Sequence, residues 1–239
     1  MDTNNLKGKN AFISGATGAI GKSIALTLAN CGCNIFLTGS NEERLKAVAS
    51  LFDNYDIKVF SCSGDLSSKV DVYKIIDSAN QHFGNIDIVI NSAGIFPNAS
   101  LFESTDDMLE QTFNINYRSA FIFSREFSKE MVSNEWGRIV NIGSSSSYVG
   151  FKDTAVYCSS KHALLGMSKS IHDELKQFNV RTLCISPSST QSQMGLATKG
   201  QDYSTFLDPD DVAKYVVFAI SFDSNIVSEE IFLKRMIIR

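Results

Sequence analysis

At 239 residues, 44% of them apolar, the chain has the length and composition of one large α/β domain with a buried core. Charges of both signs are interspersed, the net charge is −4, and no basic block occurs, which argues against nucleic acid or an anionic membrane as a partner. No apolar run approaches the roughly 18 residues of a membrane span, and residues 1–6 lack the basic and apolar regions of a signal peptide, so the expectation is a cytoplasmic protein with no membrane contact.

Cys31, Cys33, Cys62, Cys158 and Cys184 have no framework spacing, and Cys31-x-Cys33 has no second Cys/His pair to complete a zinc site. They read as reduced thiols. His82, His162 and His172 show no metal spacing either and read as structural, so no metal site is expected.

Taken in chain order, near-continuously apolar runs at 10–14, 34–38, 57–62, 86–91, 138–143 and 180–185 predict buried strands, with a last strand at 230–234. Helical periodicity fills the gaps. Ile20, Ile24 and Leu28 recur every four residues up to Gly32, a C-terminal cap. Ser40 followed by Glu43 predicts a capping box. Longer helices are predicted over 69–83, over 105–133 with a break near Asn114, and over 155–178; Asp208-Pro209 opens another. The strict β-α-β alternation predicts a doubly wound parallel sheet of about seven strands covered by helices on both faces, all in a single domain spanning 1–239.

The first strand runs directly into Ser14-Gly15-Ala16-Thr17-Gly18-Ala19-Ile20-Gly21, and a helix follows. Glycines between a first strand and a first helix let backbone amides approach a pyrophosphate at the helix N-terminus, so this segment reads as a dinucleotide site in a Rossmann fold. An acidic residue at the end of the second strand would hold the ribose 2′-hydroxyl of NAD. That tip carries Ser40, Asn41 and Arg44 instead, groups that suit a 2′-phosphate, while Glu42 and Glu43 fall in the first helical turn and face solvent. NADP(H) is therefore favoured over NAD(H), although Arg44 can equally be read as a plain surface residue.

Tyr157 and Lys161 lie four residues apart in the 155–178 helix and so share one face. A fixed ammonium beside a phenol would lower its ordinary pKa of about 10 and make it a usable proton donor and acceptor at a carbonyl or alcohol oxygen. Taken alone, the spacing equally suits a half-buried Tyr and a solvated Lys.

The residues together resemble the short-chain dehydrogenase/reductase family, from Lys7 to about Val227. Gly15, Gly18 and Gly21 are similar to its glycine signature, with Ser14 for the usual Thr and Ala19 where many members have Gly. Gly64-Asp65-Leu66 resembles its adenine-contacting segment and Asn91-Ser92-Ala93-Gly94 its Asn-Asn-Ala-Gly motif. Asn116, Ser144, Tyr157 and Lys161 match its catalytic set, Ser144 lying thirteen residues before Tyr157 within a run of four serines. The resemblance implies hydride transfer between a nicotinamide and a carbonyl or secondary alcohol. Tyr157 would act as acid or base, and Ser144 would fix the oxygen. Lys161 would hold the ribose and keep Tyr157 acidic, and Asn116 would anchor a relay water. It implies cofactor contacts from Gly15, Thr17, Gly18, Ile20, Gly21, Ser40, Asn41, Arg44, Asp65, Leu66, Asn91, Ala93, Gly94, Tyr157, Lys161, Pro187 and Thr190.

The pattern departs at Ser188, where members usually have Gly beside the nicotinamide, and at the C-terminus, which lacks the Gly-Gly tail of many members. The lid at 195–207 is polar, with Tyr203 and Phe206 as its large apolar contacts. Helices around 121–131 and 162–178 match those that pair members into homodimers or homotetramers. The expected activity is that of a 3-oxoacyl-thioester-reductase-like enzyme on a small or carrier-bound carbonyl compound. A dehydrogenase of a sugar or secondary metabolite and a non-catalytic NADP(H)-sensing regulator are the alternatives.

Overall fold

A computed structural model describes residues 3–196 and 200–236. Strands β1 (Asn10–Ser14), β2 (Asn34–Gly39), β3 (Val59–Ser63), β4 (Ile88–Asn91), β5 (Gly137–Ile142), β6 (Val180–Pro187) and β7 (Glu230–Leu233) form one sheet in the order β3-β2-β1-β4-β5-β6-β7, every neighbouring pair parallel. The helices are α1 (Ala19–Asn30), α2 (Glu42–Ala49), α3 (Lys69–Phe83), α4 (Asp106–Phe113), α5 (Ser119–Ser133), α6 (Ala155–Leu175), α7 (Gln193–Leu196) and α8 (Pro209–Ile220). The chain winds outward from β1 to β3 and returns to β4 on the other side of β1. This leaves a crevice beyond the C-terminal ends of β1 and β4, the switch point where doubly wound sheets bind their ligands.

Alternation along the strands divides the apolar residues between two cores. Ala11, Ile13, Ile35, Leu37, Ile88 and Ile90 face α1 and α8 through Ile24, Leu28, Val216 and Val217. Phe12, Phe36, Val89 and Ile139 face the other way, onto Val72 and Ile75 of α3 and Phe123 and Phe127 of α5. Phe12 sits 4.7 Å from Phe123 and 4.9 Å from Phe127, ring centre to ring centre.

Several expected boundaries hold. Gly32, at φ +79°, follows α1: its N–H donates to the Ala29 carbonyl at 2.9 Å, and that of Cys33 to the Leu28 carbonyl at 3.1 Å. Asp208 caps α8 through a 2.8 Å bond from the Asp210 N–H, with Pro209 at the first position. The expected Ser40–Glu43 capping box is not formed. The N-cap is Asn41, whose Oδ1 accepts the Arg44 N–H at 2.8 Å, because α2 begins one residue later than that spacing assumed. The expected break near Asn114 is a widened π turn, Asn114–Arg118, that joins α4 to α5 without ending the helix.

One polar residue in the interior escaped the strand pattern. Arg138 of β5 is fully buried under the sheet end remote from the β1/β4 crevice, with its guanidinium 4.4 Å from the Trp136 ring centre. It donates to the carbonyls of Gly137, Asn179, Ile220 and Phe222 and to Asp223 at 2.7 Å.

Candidate active site

The glycine turn is shaped by close approach. Gly15 has φ +67°, and a Cβ there would stand 2.7 Å from both the amide nitrogen and Cα of Ala93. A Cβ on Gly21 would meet the Gly15 carbonyl at 2.5 Å and the Ser92 hydroxyl at 2.6 Å. Gly18 is the N-cap of α1 and brings no side-chain cap. Its carbonyl accepts the Lys22 N–H, so the amides of Ala19, Ile20 and Gly21 are bonded to no backbone carbonyl. Bare amides at the positive end of a helix, in a turn without side-chain bulk, fit a pyrophosphate. The Ile20 side chain packs against the first core, so its amide is what it offers such a ligand. Thr17 lies against Gly39, where a Cβ would come within 3.1 Å of the Thr17 methyl, and this contact joins the turn to the tip of β2.

Ser40, Asn41 and Arg44 are exposed at that tip. Asn41 uses its carbonyl oxygen as the cap and keeps its NH2 group as a donor. Glu42 is drawn into an i,i+4 pair with Lys46 at 2.7 Å, and Glu43 occupies the same first turn. On the neighbouring strand end, the Asp65 carboxylate accepts the Ser67 N–H and hydroxyl, each at 2.8 Å, and Leu66 is buried in the second core.

The Asn91 side chain is buried between strands: its amide donates to Asn141 at 2.9 Å and to Ser124 at 3.2 Å, and Asn141 donates onward to Ser168 at 2.9 Å. The Asn91 Oδ1 has no partner. This ladder holds the end of β4, so that Ala93 packs on Gly15 and Gly94 passes Asn116 and Lys161. A Cβ on Gly94 would lie 3.3 Å from Asn116 Oδ1 and 3.7 Å from Lys161 Nζ.

Tyr157 and Lys161 occupy the first turns of α6 and both are buried. Lys161 Nζ donates to the Ile142 carbonyl at 2.7 Å and stands 5.8 Å from the Tyr157 ring centre. Burial pushes the phenol up to about 12, against the hydrogen bond from the Ser144 side chain, which lowers it. Burial also pushes the Lys161 ammonium down to about 8. The expectation that Lys161 keeps Tyr157 acidic is not met in this state: burial dominates, Ser144 is the group that lowers the phenol, and the ammonium is turned toward the Ile142 carbonyl. Within the serine run, Ser144 is the one that bears on the phenol. Its N–H donates to Ser147 Oγ at 3.2 Å, and its own hydroxyl accepts the Ser146 N–H at 3.1 Å, which fixes its position at the end of β5.

Asn116 sits in the π turn with its side chain fully engaged. Its Oδ1 accepts the Ile95 N–H at 2.8 Å, and its Nδ2 donates to the Ile95 carbonyl at 3.0 Å and to Ser160 Oγ at 3.1 Å. Ile95, Ser160 and the aromatic Phe96, whose ring centre is 4.7 Å from that of Tyr157, belong to the site without having been singled out from the sequence. Their contacts are tertiary, and no motif spacing carries them.

At the end of β6, Pro187 lies beside Leu233 of β7, and Thr190 is buried, its hydroxyl donating to the Ser188 carbonyl at 2.9 Å. Ser188 needs no glycine freedom: the non-glycine residues with positive φ among those described are Glu135, Asp153 and Asn179. Instead its N–H donates to the Leu233 carbonyl at 2.8 Å, and its hydroxyl accepts the Arg235 N–H at 3.2 Å. Phe206 of the lid is buried beneath the Arg235 guanidinium, so it does not face the mouth. Among the described residues of the loops there, Met194, Leu196, Val149 and Phe151 are exposed apolar side chains.

Residues 9–202 match the family model of the short chain dehydrogenases, and the chain belongs to the short-chain dehydrogenase/reductase family. It is an oxidoreductase of that family. Among curated relatives it is 32% identical to the 3-oxoacyl-acyl-carrier-protein reductase FabG of Rickettsia felis, over 93% of each chain. It is also 32% identical to the 2,3-dihydro-2,3-dihydroxybenzoate dehydrogenase of Bacillus subtilis, over 81% of this chain and 74% of the other. Among solved structures, a short chain dehydrogenase from Burkholderia cenocepacia in complex with NADP is 27% identical and superimposes with a TM-score of 0.87, over 97% of this chain and 98% of the other.

Proposed function

We propose that the chain, acting as one unit that carries both cofactor and catalytic groups, is an NADP(H)-dependent reductase of carbonyl compounds, 3-oxoacyl thioesters being the favoured class. The observation that carries this reading is the convergence of the Ser144 hydroxyl, the Tyr157 phenol and the Lys161 ammonium beside Gly94, one residue from the Ala93–Gly15 contact that shapes the dinucleotide turn.

A bound nicotinamide supplies the hydride. Tyr157 holds its proton throughout the neutral range and delivers it to the substrate oxygen. Ser144 donates to the same oxygen and orients the carbonyl. Lys161, within reach of Gly94, would hold the ribose hydroxyls of the cofactor, and its ammonium would offset the charge of the Tyr157 phenolate until a proton from solvent restores the phenol. Asn116, bonded to both backbone groups of Ile95, holds the β4–α4 loop in place around them.

NADP(H) over NAD(H) is supported by Ser40, Asn41 and Arg44 at the tip of β2, and by the NADP complex of the Burkholderia relative. The 3-oxoacyl class is supported by the Rickettsia relative and by the exposed apolar side chains Val149, Phe151, Met194 and Leu196 around the mouth. Unpaired thiols at all five cysteines suit a reducing cytoplasm. An exposed Phe121 on α5 supports pairing into a homodimer or homotetramer.

The test is reduction of acetoacetyl-CoA by purified protein, followed as loss of NADPH. Turnover with a lower KM for NADPH than for NADH is expected. NADPH binding without turnover across a broad panel of ketones and oxo thioesters would contradict it.

A further inference from the structure

We infer that Phe96 is the residue that limits the size of the carbonyl substrate, because its ring stands between Tyr157 and a groove beside helix α4. The inference rests on Tyr157 being the proton donor of the proposed reaction.

A groove of about 450 Å³, open to solvent along one side, lies between the loop after β4 and helix α4. Ile95, Phe96, Pro97 and Met108 form its apolar side, and Thr105, Gln111 and the buried Thr112 its polar side. That volume falls within the range of small-molecule sites. Tyr157 does not line the groove, but Phe96 touches both: its ring is perpendicular to that of Tyr157, with the centres 4.7 Å apart. The ring is thus a partition, with the reacting phenol against one side and the apolar side of the groove against the other.

The partition is held in place by its own backbone. One residue before it, Ile95 is bonded through both N–H and carbonyl to the Asn116 side chain. Three residues after it, the Ala99 N–H donates at 2.9 Å to the carbonyl of Asp153, a left-handed residue at φ +61° in the loop that leads to α6. Between these anchors, Pro97 restricts Phe96 to extended backbone and excludes the helical alternative. The β4–α4 loop and the β5–α6 loop, which carries Ser144, therefore fix Phe96 from both sides.

The wall chemistry names the occupant. The sole charged lining residue is Asp107, an exposed acid, and no cation is present to meet a phosphate or carboxylate. The space suits an uncharged apolar chain attached to the reacting carbonyl carbon. With Phe96 in place such a chain is confined to the mouth, and with a smaller residue there the two spaces join.

The test compares wild type with Phe96→Ala and Phe96→Leu, using NADPH and two esters, ethyl acetoacetate and ethyl 3-oxooctanoate. The ratio of kcat/KM for the longer ester over the shorter should rise at least tenfold in Phe96→Ala and less in Phe96→Leu, through KM for the ester and with KM for NADPH unchanged. Phe96→Tyr should keep the wild-type ratio. An unchanged ratio in both smaller variants, with NADPH binding intact, would overturn the inference. Should no form turn over either ester, the proposed activity on this class fails, and the partition is then read by calorimetry. Titrating 2-nonanone into the NADP+ complexes should give at least tenfold tighter binding for Phe96→Ala, and equal binding would overturn the partition.

Discussion

Tyr157 and Lys161 are closed off from water on one face of α6, and burial moves the two groups in opposite directions, the phenol up to about 12 and the ammonium down to about 8. For Lys161 this has a consequence for stability. Its ordinary value is 10.5, so the unfolded chain holds the proton up to that pH, whereas the folded chain releases it above about 8. Below pH 8 both states are protonated and the full cost of burying the ammonium is present; between pH 8 and 10.5 the cost is relieved as pH rises. Lys161→Met removes the charge. Even after loss of the bond to the Ile142 carbonyl, the variant should be roughly 1–3 kcal/mol more stable than wild type in urea at pH 7. That advantage should shrink as pH rises from 8 to 10.5, and carbonyl reduction should be severely impaired. A variant less stable than wild type at pH 7 would show that the ammonium is held favourably. The i,i+4 spacing of this pair was legible from the sequence. Its ionisation was not, because desolvation depends on what Ile142, Gly94 and Phe96 cover, and those contacts arise only in the fold.

At the level of elements, strand positions followed from apolar runs, and the α1 C-terminus followed from Gly32. What failed was local competition. Ser40 and Asn41 are both good N-caps, and the spacing to Glu43 favoured Ser40, yet β2 runs to Gly39 and α2 starts at Glu42, so Asn41 takes the cap. The π turn at Asn114–Arg118 is a similar case. Asn disfavours a helix interior, which predicted a break, but bonds from Asn116 to Ile95 and Ser160 give its side chain tertiary partners and the helix continues. The tip of β2 carries a prediction at this scale. Arg44 is exposed in the first turn of α2, where its guanidinium is free to meet a 2′-phosphate. Arg44→Ala should raise the KM for NADPH about tenfold, the value of one solvent-exposed charge-assisted contact, and leave the KM for NADH within about twofold. Equal effects on both coenzymes would remove Arg44 from the phosphate site.

Across the whole molecule, the division of labour runs along the strands. The C-terminal ends of β1, β4, β5 and β6 present Gly15, Gly94, Ser144 and Thr190, while the opposite end is closed by Arg138, which ties β5 to the segment after α8. The alternation that sends Phe12 to one core and Ile13 to the other was implicit in the strand pattern. Arg138 was not legible, since the residues that meet its guanidinium (Asn179, Ile220, Phe222 and Asp223) lie far along the chain and carry no spacing signal. Arg138→Met would take a donor from each of these groups, although Arg181 still donates to the Phe222 carbonyl and Asn179 to the exposed Asp223. A loss of about 1–3 kcal/mol is expected in denaturant unfolding, with kcat/KM at low temperature unchanged, because the site lies at the other end of the sheet. Loss of activity in a still-folded Arg138→Met protein would mean that the two ends are coupled. The proposed chemistry itself turns on one oxygen atom. Purified Tyr157→Phe should still bind NADPH and reduce acetoacetyl-CoA at least a hundredfold more slowly, the usual worth of a positioned acid; wild-type turnover in that variant would contradict the assignment of Tyr157 as proton donor.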